Sequence, residues 1–373
     1  MKILLIDNSV VSYHAWHTMH GANYEAETGL ELAEYARNYA KHMLYLHSLF
    51  QPDRTYVLLD CNRDDIWRHR PYTEYYHRPE AHCTYFKDDM WYSTIEDKVF
   101  RWVRPETTER WVSFKLKKAD QPAFAATDEK EPDDPELSHE ILLSLPAYKK
   151  CRKVTRWDYE TSREDYKMRS LRIAHNFAPL IKAVVVEQKE LEADDLAYCV
   201  IRQFEITKHQ FVCVTSDSDW GQLCTRNKNV EIYDPIKREM LDAHCGRMAY
   251  AMWVKLIGGD AADGIPGIRL VDSKSVIGPT KAAKLVDQHG LDGIYAWLKA
   301  NAFLPSLERN LKLISFKHIP AELEKAASLS LVSRRPERVK YELDKFGVTE
   351  SARSLRIADA ERDRMAIRMK SDA

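Results

Sequence analysis

Lys2-Ile3-Leu4-Leu5-Ile6-Asp7 decides the reading of this chain: a short apolar run, rich in branched side chains, that ends on an acid. The pattern recurs. Thr55-Tyr56-Val57-Leu58-Leu59 runs into Asp60, and Ala183-Val184-Val185-Val186 leads through a short turn to Glu192-Ala193-Asp194-Asp195. Phe211-Val212-Cys213-Val214-Thr215 ends on Ser216-Asp217-Ser218-Asp219. Runs of this length and composition read as buried parallel strands. In an open α/β sheet the carboxyl ends of the strands line the ligand crevice. Asp7, Asp60, Glu192, Asp194, Asp195, Asp217 and Asp219 are therefore expected to converge on one small volume. Their mutual repulsion is costly unless cations neutralise it, and an all-oxygen donor set suits a hard divalent ion such as Mg²⁺ or Mn²⁺.

The 373 residues allow one large domain or two ordinary ones. Charged residues make up 30% yet nearly cancel, to a formal net charge of -1. That balance leaves nucleic acid open as a partner, because an acidic centre masks basic surfaces elsewhere. Seven cysteines without a Cys-x-x-Cys pair argue against a disulfide framework and suit a reducing compartment. Cys199 and Cys213 fall in an expected helix and strand, as core residues would. The first strand leaves no room for a signal peptide, and no apolar run approaches the ~20 residues of a membrane span. The expectation is a soluble, cytoplasmic protein with no membrane partner.

Residues 30–50 carry a helical stripe through Leu32, Tyr35, Ala36, Tyr39, Met43, Leu46 and Phe50. Residues 71–147 break the α/β rhythm and read as an insertion. Within them Val99 to Val103 and Val112 to Leu116 form an expected β-hairpin, and the acidic, proline-bearing 128–136 reads as a solvated loop. From Lys149 to Arg172 nine Lys or Arg stand against four acids, with Trp157, Tyr159 and Tyr166 interleaved. Such segments grip a phosphate backbone and stack on bases, although a solvated helix face has the same composition. Ala193, Leu196, Ala197, Val200, Ile201 and Phe204 make one helical stripe, with the three acids of Glu192-Ala193-Asp194-Asp195 in its first turn. The C-terminal third is helical by pattern and ends in a mixed-charge tail.

A further acidic group stands apart from the strands: Gly258-Gly259-Asp260-Ala261-Ala262-Asp263-Gly264-Ile265-Pro266-Gly267-Ile268. After it, Val276-Ile277-Gly278-Pro279-Thr280-Lys281-Ala282-Ala283-Lys284 opens a helix from a glycine turn. The free N–H groups of such a helix end bind phosphate, and Lys281 and Lys284 add charge near it. His14, His17 and His20 invite a zinc reading at their spacing of three, but no matching Cys or His pair elsewhere completes a site. Helix-surface or DNA-facing side chains are the simpler reading.

These pieces, in this order, resemble the 5′-nuclease superfamily: flap endonucleases, the 5′-nuclease domains of bacterial DNA polymerases, and phage 5′→3′ exonucleases. The residues that carry the resemblance are Leu5-Ile6-Asp7-Asn8-Ser9, Leu59-Asp60 with Trp67-Arg68, Glu192-Ala193-Asp194-Asp195, Ser216-Asp217-Ser218-Asp219, Gly259-Asp260-Ala261-Ala262-Asp263 and Ile277-Gly278-Pro279. Tyr148-Lys149-Lys150-Cys151-Arg152 and Asn310-Leu311-Lys312-Leu313-Ile314 are most similar to the T-even phage ribonuclease H branch.

The resemblance implies a PIN-like α/β nuclease domain over 1–250, with the 71–147 insertion and a basic arch at 148–172. It also implies a helical helix–three-turn–helix DNA-binding region and tail over 251–373. It implies two Mg²⁺ ions, replaceable by Mn²⁺, with Asp7, Asp60, Glu192 and Asp194 on one. Asp217 and Asp219 would hold the other, joined by Asp260 and Asp263, with Asp195 close to both. Lys149, Lys150 and Arg152 would present positive charge to the scissile phosphate. Arg68, Arg78, Gly264, Gly267, Gly278, Thr280, Lys281 and Lys284 would contact DNA, with a monovalent cation at the helix–three-turn–helix. The implied activity is metal-dependent 5′→3′ exonuclease, flap endonuclease or ribonuclease H cleavage during replication or repair. The implied setting is a monomer in a bacterial or phage-infected cytoplasm. Implied partners are DNA with 5′ flaps or RNA/DNA hybrids, and a single-strand DNA-binding protein or sliding clamp docking on the tail. Two departures stand out. The arch motif is split, with Trp67-Arg68 and Tyr72 to Tyr75 separated from Tyr148-Lys149, and Arg269–Ser275 interrupts the double-glycine loop, which implies a looser turn. A toxin-type PIN ribonuclease and a non-catalytic DNA-binding protein of the same fold are the alternatives.

Overall fold

The acid-tipped runs are strands of a single sheet. The computed structural model describes residues 1–20, 29–61, 66–68, 83–95, 98–103, 112–130, 173–204, 208–224, 229–241, 245–261, 263, 265–271, 273, 275–333, 358–364 and 367. The chain divides into two units. Unit 1 comprises Met1–Ile66, Thr155–Ala249 and Ile319–Ala373, and unit 2 comprises Trp67–Val154 and Tyr250–His318.

In chain order the described elements begin with β1 (Lys2–Asp7), α1 (Asn8–His20), α2 (Gly29–Phe50), β2 (Arg54–Leu58), β3 (Tyr85–Lys87), β4 (Met90–Ile95), β5 (Lys98–Val103) and β6 (Val112–Lys115). There follow β7 (Ala183–Val186), α3 (Ala193–Gln203), β8 (Gln210–Val214), β9 (Val230–Asp234), β10 (Glu239–Met240) and α4 (Cys245–Gly258). The last are β11 (Gly259–Asp260), β12 (Ile265–Pro266), α5 (Pro279–Asn301), α6 (Leu304–Ile314) and α7 (Ala321–Ser333).

In unit 1 the strands form a six-stranded sheet in the order β10-β9-β8-β1-β2-β7. All neighbours are parallel except β10, which pairs antiparallel with β9. From β1 the chain moves outward through β2 and β7, then returns to place β8 on the other side of β1. That reversal is a topological switch point, where a ligand crevice opens beyond the strand ends. Alternation along the strands gives each face its own cover. Leu4, Ile6, Val57, Val185, Val212 and Val214 join Val11 and Ala15 of α1 and Tyr35, Tyr39 and Met43 of α2 in one core. Ile3 and Leu5 alternate with them, and α3 packs on β1 and β2. α3 is in turn covered by α7. Cys199 and Cys213 are buried in this interior, as expected of core residues.

Part of the C-terminal tail belongs to this core. Ala360 is buried in the α1/α2 cluster, the Tyr45 hydroxyl donates to Asp363, and Arg364 donates to the carbonyls of Ser48 and Leu49 at the end of α2. Among the described residues no helix is long and apolar enough to cross a membrane.

Unit 2 contains the expected hairpin, enlarged to a four-stranded antiparallel sheet, β3-β4-β5-β6. Asp88 and Asp89 join β3 to β4, both at positive φ (50 and 60). Two left-handed residues make the tight hairpin turn whose twist matches the strands. Trp102 is buried and donates its indole N–H to Ser93 Oγ at 2.8 Å. The unit also holds a helical core in which Ile257 of α4 packs with Ile268, Ile277, Ala282, Val286, Ile294 and Leu298.

Candidate metal centre

Asp7 ends β1 and caps α1. Its Oδ1 accepts the N–H of Ser9 at 3.0 Å and of Val10 at 3.4 Å, and its Oδ2 accepts the Thr215 hydroxyl at 2.9 Å. Three donors normally hold a carboxyl acidic. Here burial, and then the charges of Asp60 and Asp217, outweigh Thr215 and Val10 and push the carboxyl up to about 8. Asp7 is only 6% exposed, so water does little to relieve that repulsion.

Asp60 follows β2. Its Oδ1 accepts Ala193 N–H at 2.9 Å and its Oδ2 accepts the Ser9 hydroxyl, so it sits at the start of α3. Glu192 is the N-cap of α3 and forms a capping box with Asp195, whose Oδ2 accepts Glu192 N–H at 3.2 Å. Asp194 Oδ1 accepts Asp195 N–H at 2.7 Å. Glu192, Asp194 and Asp195 each offer a carboxylate oxygen, and these lie within 4.8 Å of one another. Capping and the helix dipole account for acids at a helix start. They do not account for four carboxylates gathered at one end, since the dipole supplies only about half a positive charge.

Beyond β8, Asp217 caps a 3₁₀ turn (Ser218–Leu223) by accepting Asp219 N–H at 2.9 Å. Its own N–H donates to Thr215 Oγ1 at 3.0 Å. Unit 1 therefore links Asp7 to Asp60 through Ser9 and to Asp217 through Thr215 against their mutual repulsion, ties Asp60 to the Glu192-Asp194-Asp195 group through Ala193, and tethers Asp219 to Asp217. The donors are all oxygens, several are buried, and Asp7 is held proton-loving by its neighbours, which fits a hard divalent cation. The sequence reading missed Ser9 and Thr215, the hydroxyls that join these acids. A hydroxyl residue two positions from a strand-end aspartate was the available signal.

Unit 2 holds Asp260 and Asp263. Asp260 Oδ1 accepts Asp263 N–H at 3.4 Å, and its Oδ2 pairs with Lys255 at 2.6 Å. Gly278 is the N-cap of α5, and Thr280, Lys281 and Lys284 are exposed on its first turns. A Cβ on Gly278 would meet nothing within 4 Å, so neither its φ of -87 nor its packing requires glycine.

Two expected duplex contacts are placed differently. Gly267 is buried where a Cβ would lie 1.8 Å from Ile277 O, so the glycine serves closure of the turn. Arg68 is 3% exposed, lies over the Trp67 ring and donates to Leu313 O at 3.1 Å, which ties it to the end of α6. The 269–275 interruption does not loosen the turn. It is pinched at its base by the Arg269–Val276 bridge, and Ile277 N–H donates to Ile268 O at 2.8 Å. Arg309 donates to the carbonyls of Pro266 and Gly267, both at 3.1 Å, and Asn310 donates to Leu256 O and Pro266 O, both at 2.9 Å. His14 packs against His42 at 4.5 Å, while the side chains of His17 and His20 lie outside the described residues. So do Lys149, Lys150, Arg152, Arg78 and Gly264.

No protein-family profile matches the chain. Two curated relatives do. DNA polymerase I of Caldicellulosiruptor bescii is 29% identical over 122 residues, which is 30% of this chain and 14% of the relative. Ribonuclease H of Enterobacteria phage T4 is 22% identical over 121 residues, 32% of this chain and 38% of the relative. The matches thus span well under two thirds of either relative's length. Among solved structures, a zinc-bound T5 5′-exonuclease aligns over 98% of this chain and 100% of its own, at 12% identity and a TM-score of 0.47. A bacteriophage T5 flap endonuclease complex with DNA and metal ions aligns over 89% and 98%, at 12% identity and a TM-score of 0.49. Both scores fall short of one half, so these likenesses add nothing to the fold read directly from the strand order. Motif by motif, the chain resembles the 5′-nuclease superfamily.

Proposed function

We propose that this protein is a metal-dependent 5′ nuclease that hydrolyses phosphodiester bonds near the 5′ ends of flapped or RNA-primed DNA. The observation that carries the reading is the meeting of Asp7, Asp60 and Asp217, from three neighbouring strands, at the switch point of the sheet. In unit 1 Asp7, Asp60, Glu192, Asp194, Asp195, Asp217 and Asp219 would hold Mg²⁺ or Mn²⁺, and Asp260 and Asp263 are the acids of unit 2 proposed as ligands. A divalent ion bound there supplies an activated water at neutral pH and neutralises charge on the leaving oxygen. The chain's own residues do the rest. Asp7 would ligate a bound cation as its carboxylate, Ser9 and Thr215 hold the acids in place, and α3 aims its N-terminus at the same group.

Duplex would be gripped outside the reacting centre. The exposed start of α5 offers free N–H groups beside Thr280, Lys281 and Lys284, and the bare Gly278 lets a phosphate backbone approach closely. Lys149, Lys150 and Arg152 would add positive charge opposite the scissile phosphate. A tail-docked single-strand DNA-binding protein or clamp remains part of this reading.

The test is Mg²⁺-dependent cleavage of a 5′-labelled flap duplex carrying RNA at its 5′ end, wild type beside Asp217→Ala. Short labelled products from wild type alone support the reading, and their lengths separate trimming from flap clipping. Tight binding without cleavage by either protein would leave a DNA-binding protein and overturn the enzymatic reading.

A further inference from the structure

We propose that Thr215 is a positioning residue of the metal centre, one that fixes the orientation of the Asp7 carboxylate and holds the backbone from which Asp217 projects. This rests on the metal-centre reading above. Thr215 is the residue after β8 and is fully buried. Its backbone N–H is already used, donating to Tyr233 O at 3.0 Å, so the residue is pinned to β9. The side chain then has one proton and two lone pairs. One lone pair accepts Asp217 N–H at 3.0 Å, and the proton goes to Asp7 Oδ2 at 2.9 Å. Because Asp217 has no choice but to donate, the hydroxyl is polarised in one direction, toward Asp7. On the other side of Asp7, Ser9 N–H takes Oδ1. The carboxylate is thus held at both oxygens, with its plane fixed, while Asp217 Oδ1 is turned to Asp219 N–H.

Such outer partners set the direction in which a carboxylate presents its remaining lone pairs, and their loss typically lowers metal affinity about 10–100-fold. Valine has the shape of threonine without the hydroxyl, and serine keeps the hydroxyl without the methyl. The two substitutions therefore separate orientation from packing.

The experiment measures Mn²⁺ affinity of the full chain by electron paramagnetic resonance of free Mn²⁺, in wild type, Thr215→Val and Thr215→Ser, with a melting curve for each. Cleavage of the flap duplex is then followed against Mn²⁺ concentration. The expected result is a loss of at least about tenfold in Mn²⁺ affinity for Thr215→Val. Thr215→Ser should recover most of it, whichever variant melts lower. Excess Mn²⁺ should restore cleavage by Thr215→Val toward the wild-type maximum. Unchanged Mn²⁺ affinity in Thr215→Val, or equal losses in both variants that follow their melting temperatures, would overturn the positioning role and leave the metal centre standing. Absence of Mn²⁺ binding in wild type would overturn the metal centre itself, and the role with it.

Discussion

At the carboxyl edge of the six-stranded sheet, Asp7 is buried beside Asp60 and Asp217 and its carboxyl is pushed up to about 8. At the turn between α4 and α5 the reverse holds: Arg309 and Asn310 are buried, and their N–H groups meet the carbonyls of Leu256, Pro266 and Gly267. The first region concentrates like charge. The second has internal donors for carbonyls of its turn and is rigid on its own account. One region is built with electrostatic tension, the other with its hydrogen bonds closed from within.

The contrast breaks first at Gly267. A Cβ there would press on the backbone of Ile277 and Ile257, neither of which can give. Gly267→Ala is expected to cost about 3 kcal/mol or more and to unfold the turn, seen as a large drop in melting temperature. Arg309→Met comes next. It leaves the buried Gly267 carbonyl without its side-chain donor, while Asn310 still serves Pro266 O, and is expected to cost about 1–3 kcal/mol in denaturant unfolding. A variant as stable as wild type would mean that the turn is not organised from within.

The sheet edge should respond in the opposite sense. Asp7 is raised from 3.8 in the unfolded chain to about 8 in the fold. The folded state therefore binds the proton more tightly. The associated stability is fully present below about pH 4 and is lost as pH rises through about 8. Metal-free Asp7→Asn lacks that loss and is expected to be more stable than wild type by about 2 kcal/mol at alkaline pH, while its cleavage activity disappears. Equal pH profiles for the two metal-free proteins would remove the electrostatic tension on which the comparison rests. The smallest expected effect is at Gly278. Nothing crowds its side-chain direction, so Gly278→Ala should change stability by less than about 0.5 kcal/mol, yet weaken duplex binding severalfold in a filter or anisotropy assay.

Much of unit 1 is legible in the sequence because burial on both faces writes strands as continuous apolar runs. β1, β2, β7 and β8 lie within a residue of the expected runs, and Gly29–Phe50 matches the helical stripe. β9 and β10 are less visible, since Val230–Asp234 is interrupted by Glu231 and Glu239–Met240 is too short to carry a period. In unit 2 the 99–116 hairpin is read but β3 and β4 are not, because Thr84-Tyr85-Phe86 and Met90-Trp91-Tyr92 lack aliphatic alternation. The Asp88-Asp89 pair was the turn signal there. The acids of the centre are legible because each ends a strand or opens a helix. Ser9, Thr215 and Arg309 are not, because their roles depend on partners dozens to hundreds of residues away in the chain.

The most direct test is a melting series for wild type at about pH 6 and about pH 9, with and without Mg²⁺. Repulsion among Asp7, Asp60 and Asp217 should lower the metal-free melting temperature at the higher pH. Mg²⁺ should restore it, more strongly at about pH 9 than at about pH 6, because the ion must displace the Asp7 proton at the lower pH. A melting temperature indifferent to Mg²⁺ at both pH values would contradict a metal centre at the end of this sheet.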